Sequence, residues 1–186
     1  ARKSRGLGDV YKRQELKRIS IEDFKKTKKN PIVIILDNVR SAHNVGSVFR
    51  TCDAFLVEKI YLCGITAKPP SNDIRKSALG ATKSVSWSYV KETTNVIKKL
   101  KKEDYQIVAV EQTENSTFLN DFITKKPTAF IFGHEVDGIS QDVINMCDQV
   151  LEIKQYGTKH SLNISVCAGI VISKCIWFCL LQIDKK

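Results

Sequence analysis

Three stretches of the 186-residue sequence combine residue types that could do chemistry. The first runs from Asp37 to Arg50 and reads Asp-Asn-Val-Arg-Ser-Ala-His-Asn-Val-Gly-Ser-Val-Phe-Arg. Its polar loop enters a helix at about Asn44, whose amide can cap that helix or hold a ligand, and Gly46 lets another backbone approach. Arg50 follows the apolar pair Val48-Phe49 and reads as a semi-buried guanidinium, a planar fork that grips an anion such as an RNA phosphate bidentately. The second runs from Phe130 to Ser140, an apolar run that passes straight into Gly-x-Glu-x-x-Gly. Gly133 and Gly138 permit backbone geometry that a side chain would forbid, and Glu135 sets a carboxylate at the end of the run. The third runs from Ile153 to Ile170, where Ser161, Asn163 and Ser165 crowd three small polar groups into the start of an apolar helix. Capping the unsatisfied backbone donors there needs only one of them, so the cluster points to a ligand. His43, His134 and His160 flank these stretches and read as loop polar residues.

The elements that must position these groups alternate in type. Short apolar runs rich in β-branched residues, as expected of strands buried on both faces, occur at Pro31–Leu36, Lys59–Cys63, Gln106–Val110, Ala129–Phe132 and Gln149–Ile153. Helical patterns fall between them, at about Val45–Phe55, Ile74–Gly80, Thr93–Lys102, Ser140–Cys147 and Ser161–Gln182. A basic lead-in helix is expected within Glu15–Lys29, with Ser20 and Asp23 as a capping pair. Alternation of this kind predicts an α/β fold with a mostly parallel sheet flanked by helices, and ligands of such sheets collect beyond the carboxyl ends of the strands.

Length and composition bound the rest. One domain is expected over residues 15–186, while residues 1–14, which lack an initiator Met and apolar periodicity and resemble translated sequencing-adapter DNA, are expected to be a non-native or disordered lead. The 30 basic against 20 acidic residues leave a net charge of +10, which makes a polyanion the leading class of partner and nucleic acid the foremost one. The 6 cysteines show no C-x-x-C spacing and read as reduced core thiols; Cys175 and Cys179 lie four apart, but no third ligand for a metal accompanies them. The apolar stretch Gly169–Ile183 is interrupted by Ser173, Lys174 and Gln182 and falls short of a membrane span. These features predict a cytoplasmic protein with no metal.

Taken together, N-x-G-x-x-x-R at Asn44–Arg50, G-x-E-x-x-G at Gly133–Gly138 and S-L-N-I-S at Ser161–Ser165, in this order and spacing, resemble the three motifs of the SpoU (TrmH-like) branch of the SPOUT RNA methyltransferases. The resemblance covers about Ile32 to Val171. It implies a sheet whose C-terminal part is tied in a deep trefoil knot, S-adenosylmethionine as cofactor, and a homodimer. Carried over residue by residue, it implies that Gly133, Glu135, Ile153, Ser161, Leu162 and Asn163 bind the cofactor. Arg50, Asn44, Glu135 and Ser161 would then form the catalytic centre. One departure is Lys154, where the family usually has proline after the strand, a change that could loosen the loop or add positive charge near the cofactor.

The implied reaction is in-line methyl transfer from a sulfonium to a ribose 2′-hydroxyl, with tRNA favoured and rRNA the alternative. A guanidinium stays protonated in proteins, so Arg50 is expected to grip a phosphate and the ribose oxygen, with a deprotonated Arg50 acting as the base kept as the alternative. Two rival readings differ in class. A catalytically silent RNA-binding dimer would be favoured by loss of Arg50, Glu135 or Asn163, all of which are present; a nucleotide-dependent oxidoreductase would need G-x-G-x-x-G after the first strand, where Arg40-Ser-Ala-His-Asn-Val-Gly stands instead.

Overall fold

In the computed structural model the described residues are 18–124 and 126–183, with side chains placed through Ile176. Expectations resting on residues 1–17, and those on the side chains of Trp177, Phe178 and Cys179, lie outside the described residues. A capped turn, α1 (Ile21–Lys26), leads in, and Ser20 Oγ accepts from the backbone N–H of Asp23, as the capping pattern predicts. Seven strands follow: β1 (Asn30–Asp37), β2 (Val57–Cys63), β3 (Trp87–Val90), β4 (Gln106–Val110), β5 (Thr117–Phe118), β6 (Thr128–Phe132) and β7 (Gln149–Glu152). They form one sheet in the order β3-β2-β1-β6-β4-β7-β5, and every ladder in it is parallel.

The continuous apolar runs are explained by burial on both faces. In β1, Ile32, Ile34 and Leu36 enter one core while Val33 and Ile35 enter the other. The first core is closed by α2 (Ala42–Ala54) through Val45, Val48, Phe49 and Cys52, by α3 (Asn72–Ala78), by the short α4 (Ala81–Ser84), and by α7 (Ile164–Ile183) through Ala168, Val171, Ile172 and Ile176. The second is closed by α5 (Thr93–Lys102) through Val96, Ile97 and Leu100, and by the single turn α6 (Gln141–Ile144) through Val143. Helices therefore cover both faces, as an all-parallel sheet requires. Among the described residues no helix is long and apolar enough to cross a membrane.

Several boundaries differ from those read in the sequence. The two edge strands β3 and β5 were not expected. The helix expected over Ser140–Cys147 is only Gln141–Ile144, and the final helix begins at Ile164 rather than Ser161. Helix α2 starts at Ala42 with Ser41 as its cap, whose hydroxyl accepts from the backbone N–H of Asn44. Asn44 is therefore a first-turn residue with its amide side chain left for other work. At Gly46 an added Cβ would lie 2.6 Å from the Ile74 carbonyl oxygen, the close approach of α3 that the sequence suggested. Cys52, Cys63, Cys147 and Cys167 are free thiols, and burial pushes Cys63 and Cys167 up to about 12. At neutral pH these two are thiols rather than reactive thiolates.

Candidate active site

The strand order places β6 between β1 and β4, and the carboxyl ends of β6, β4 and β7 meet at one rim. A cleft of about 440 Å³ opens there, within the roughly 300–1,000 Å³ usual for small-molecule sites. Glu135, Asn44 and residues 160–164 come to its walls from segments that the sequence reading had singled out separately.

The Gly133–Gly138 segment is a closed loop. His134 and Gly138 exchange two backbone hydrogen bonds, with His134 N to Gly138 O at 3.1 Å and Gly138 N to His134 O at 3.0 Å. An added Cβ on Gly133 would sit 2.5 Å from the Gly138 carbonyl carbon, so only glycine admits this approach; Gly138 itself has φ +68°, in the left-handed region. Inside the loop, His134 Nδ1 accepts from the backbone N–H of Val136 and of Asp137. The same nitrogen lies 3.0 Å from Asp137 Oδ2, so the His134 ring gathers the turn residues of the loop around it.

The loop presents Glu135 to the start of α2. Its carboxylate accepts from Arg40 N at 3.1 Å, Ser41 N at 3.0 Å and the Asn44 side-chain amide at 3.3 Å. Those donors are at the positive end of the helix, where a carboxylate is favoured. Partial burial pushes its pKa up, but the N–H groups of Ser41 and Arg40 and the Asn44 amide outweigh that and hold Glu135 below the usual glutamate range. Asn44 Oδ1 in turn accepts from Asn163 Nδ2 at 3.1 Å. Asn163 Oδ1 caps α7 by accepting from Ser165 N at 2.9 Å and from the Ser165 hydroxyl at 2.7 Å. One chain of hydrogen bonds, Glu135 to Asn44 to Asn163 to Ser165, thus joins all three segments.

This arrangement predicts a pH signature. A carboxylate whose folded-state pKa is depressed contributes stability that is present above the unfolded glutamate range and lost as pH falls through the depressed folded value. Glu135→Gln is expected to cost about 1 kcal/mol near pH 7, a modest figure because solvent screens this exposed group, and the melting-temperature gap to the wild type should close in acid. A gap that is the same at pH 7 and pH 4 would show that the charge plays no part.

Of the residues proposed from sequence for the cofactor, Gly133, Glu135, Ile153, Ser161, Leu162 and Asn163 all line the cleft, as does Asn44. The Ser161 hydroxyl is exposed there and does not cap α7, which is the work of Asn163. Arg50 is different. It lies outside the cleft lining and is exposed, not semi-buried: on α2 it shares the solvent face with His43 and Ser47, while Val45, Val48, Phe49 and Cys52 face the core. It makes no ion pair or hydrogen bond with another described residue, so its fork is available to an incoming anion. Lys154 is also outside the lining, between Ile153 and Gln155 that line it, and its ammonium stands over the rings of Phe118 and Tyr156. Asp37, which opens the first segment, is sealed away at the end of β1, accepting from the Thr93 hydroxyl at 2.5 Å.

Sequence reasoning missed Glu111, at the end of β4. Its carboxylate accepts from Gln112 N at 2.9 Å and from Ile139 N at 3.2 Å, pinning the Gly133–Gly138 loop from the opposite side, and it lines the cleft. Gln112 ties the rim further by donating to the His160 carbonyl at 3.0 Å. The only signal was an acid directly after a buried strand, which many surface loops share.

An all-parallel sheet with a ligand-sized cleft at its strand ends, walled by a glycine-gated loop and two helix starts, has its site where open α/β sheets bind their ligands. The SpoU rRNA Methylase family matches residues 31–173, and the chain belongs to that family of RNA-methylating enzymes. It is 32% identical over 163 residues to the tRNA (guanosine(18)-2′-O)-methyltransferase of Aquifex aeolicus, covering 86% of this chain and 74% of that protein. It is 28% identical over 144 residues to the 23S rRNA (guanosine-2′-O-)-methyltransferase RlmB of Neisseria meningitidis, covering 77% of this chain and 57% of the relative. The crystal structure of the Aquifex aeolicus TrmH/SpoU tRNA modifying enzyme superposes with a TM-score of 0.78 at 27% identity, over 87% of this chain and 81% of that one. AviRb from Streptomyces viridochromogenes, solved in complex with AdoMet, shares the fold with a TM-score of 0.76 at 20% identity, over 85% of this chain and 61% of that one.

Proposed function

We propose that the chain is an S-adenosylmethionine-dependent RNA ribose 2′-O-methyltransferase acting on tRNA. The observation that carries this reading is the hydrogen-bond chain from Glu135 through Asn44 to Asn163, which ties three separate segments together at one cleft. In this reading the loop at Gly133, the backbone at Ile153 and the Ser161–Asn163 segment hold the cofactor, which supplies a methyl group on a sulfonium. Bound there, that methyl group would be available to the ribose 2′-hydroxyl, whose proton would pass to a phosphate or water. The leaving group is already activated, so this chain's residues have to align the reactants and stabilise developing negative charge on the ribose oxygen. Arg50 does the second by gripping that oxygen and a neighbouring phosphate. RNA is required because only RNA offers the hydroxyl.

Relatives named for tRNA, in Aquifex aeolicus and Thermus thermophilus, favour that substrate, with rRNA the alternative. The C-terminal trefoil knot, a cytoplasmic setting and a homodimer belong to the same proposal. For the dimer, Val166 and Ile170 expose apolar side chains four residues apart on α7, and the exposed Leu162 precedes that helix. A row of this kind suits a self-complementary contact.

Calorimetry with S-adenosylmethionine tests the reading. Heat of binding, competed away by S-adenosylhomocysteine, is expected. A folded protein giving no heat at millimolar cofactor contradicts the enzyme reading and leaves the silent RNA-binding dimer. Mapping 2′-O-methyl sites in total RNA with and without the gene separates tRNA from rRNA as target.

A further inference from the structure

The segment that leaves the cleft carries a second feature. Ile153 and Gln155 line the cleft, whereas Lys154 and Tyr156 do not. Lys154 Nζ stands 5.3 Å from the ring centre of Phe118, on edge strand β5, and 5.5 Å from that of Tyr156. Tyr156 is 87% exposed and Phe118 40% exposed. The ammonium makes no ion pair with any described carboxylate, so its charge is held against two aromatic faces in water and remains uncompensated. Burying a ring in the core would stabilise the fold far more than leaving it at this rim. Folding therefore does not account for a nearly bare tyrosine beside an unneutralised lysine.

Two exposed aromatic rings flanking a cation without a carboxylate partner are the chemistry that holds single-stranded nucleic acid, in which bases stack on aromatic rings and the cation meets the backbone phosphate. The geometry points to Phe118, Lys154 and Tyr156 as a stacking platform for an unpaired nucleobase of the RNA substrate, close to the nucleotide being methylated. This rests on the proposed activity. It goes beyond it in assigning an RNA-binding subsite on the β5 edge, reached by residues adjacent in sequence to the cleft wall. The basic net charge of +10 favours a polyanion over an acidic-poor protein surface as occupant.

The test uses the full chain with an RNA transcript that the wild type methylates and with the same transcript carrying 2-aminopurine near the target. Tyr156→Ala should raise the Kd for RNA about five- to a hundredfold, since stacking is worth roughly 1–3 kcal/mol per base, with S-adenosylmethionine affinity unchanged. Tyr156→Trp should restore binding, and 2-aminopurine emission should be quenched by the wild type but not by Tyr156→Ala. Lys154→Gln should lower the slope of log affinity against log salt by about one, because one phosphate contact is lost. RNA affinity unchanged in Tyr156→Ala overturns the platform while leaving the methyltransferase intact. Tyr156→Ala that turns the protein monomeric, with RNA affinity per subunit unaltered, overturns it too and gives the surface to a second copy. A wild type that binds cofactor but no RNA overturns both readings.

Discussion

Replacing Arg50 with alanine is expected to cut methyl transfer more than tenfold and to leave S-adenosylmethionine affinity unchanged. The guanidinium is exposed on the outer face of α2, outside the cleft lining, and no described carboxylate neutralises it. Its partners in the reaction are then the phosphate and ribose oxygen of the RNA. A tenfold loss corresponds to about 1.4 kcal/mol of barrier, a small demand on a charged donor facing a developing alkoxide. Arg50→Lys should recover only part of the rate, because an ammonium keeps the charge and loses the fork. Asn163→Ala makes the contrast: it removes the cap of α7 and the bond to Asn44 on the cofactor side, so affinity for the cofactor should fall first. Single-turnover rates and calorimetry separate the two, and an Arg50→Ala enzyme with more than a tenth of wild-type turnover would remove Arg50 from the catalytic centre.

Gly133→Ala should be a severely damaging single methyl group. The new Cβ would lie 2.5 Å from Gly138 C, 2.6 Å from Gly138 O and 2.6 Å from Ile139 Cγ1. Neither neighbour can withdraw cheaply. Gly138 is held by both hydrogen bonds to His134, and Ile139 by the Glu111 carboxylate. A clash against pinned backbone belongs with the larger mutational effects, about 3 kcal/mol or more, which for a chain of this length lowers the melting temperature by roughly 6–12 °C. Cofactor binding should be lost with the loop. Gly169→Ala is the matched control: an added Cβ meets nothing within 4 Å on α7, and alanine is the better helix former. Thermal melts that rank Gly133→Ala level with Gly169→Ala would refute the assigned geometry.

Much of this was legible in the sequence because burial and chemistry left separate marks. The runs at Gln106–Val110 and Thr93–Lys102 coincide with β4 and α5, one apolar throughout and the other with a clear apolar stripe. The strands that escaped notice, β3 and β5, lie at the edges of the sheet, where half-exposed residues such as Ser88 and Thr117 erase the apolar run. Arg50 was misplaced for a different reason. Its neighbours in sequence are buried, but on a helix exposure follows spacing, and 43, 47 and 50 share a face that 45, 48, 49 and 52 do not. Glu111 could not be found because its value comes from a contact with Ile139, 28 residues on, which no local pattern records.

The place of β6 between β1 and β4 has a consequence for how the chain comes off the ribosome. Strand β1 is complete at Asp37 and β4 at Val110, but the strand that both must pair with begins only at Thr128. Throughout the intervening synthesis β1 and β4 each offer a largely apolar strand with unpaired backbone groups, the kind of surface on which nascent chains associate wrongly. The sheet can close only when the late strand inserts between two early ones, a non-local step of the sort that slows folding. Because Glu135 follows directly on β6, that same insertion is the moment at which the cleft first comes into being, so a fragment ending before Thr128 has edges but no site.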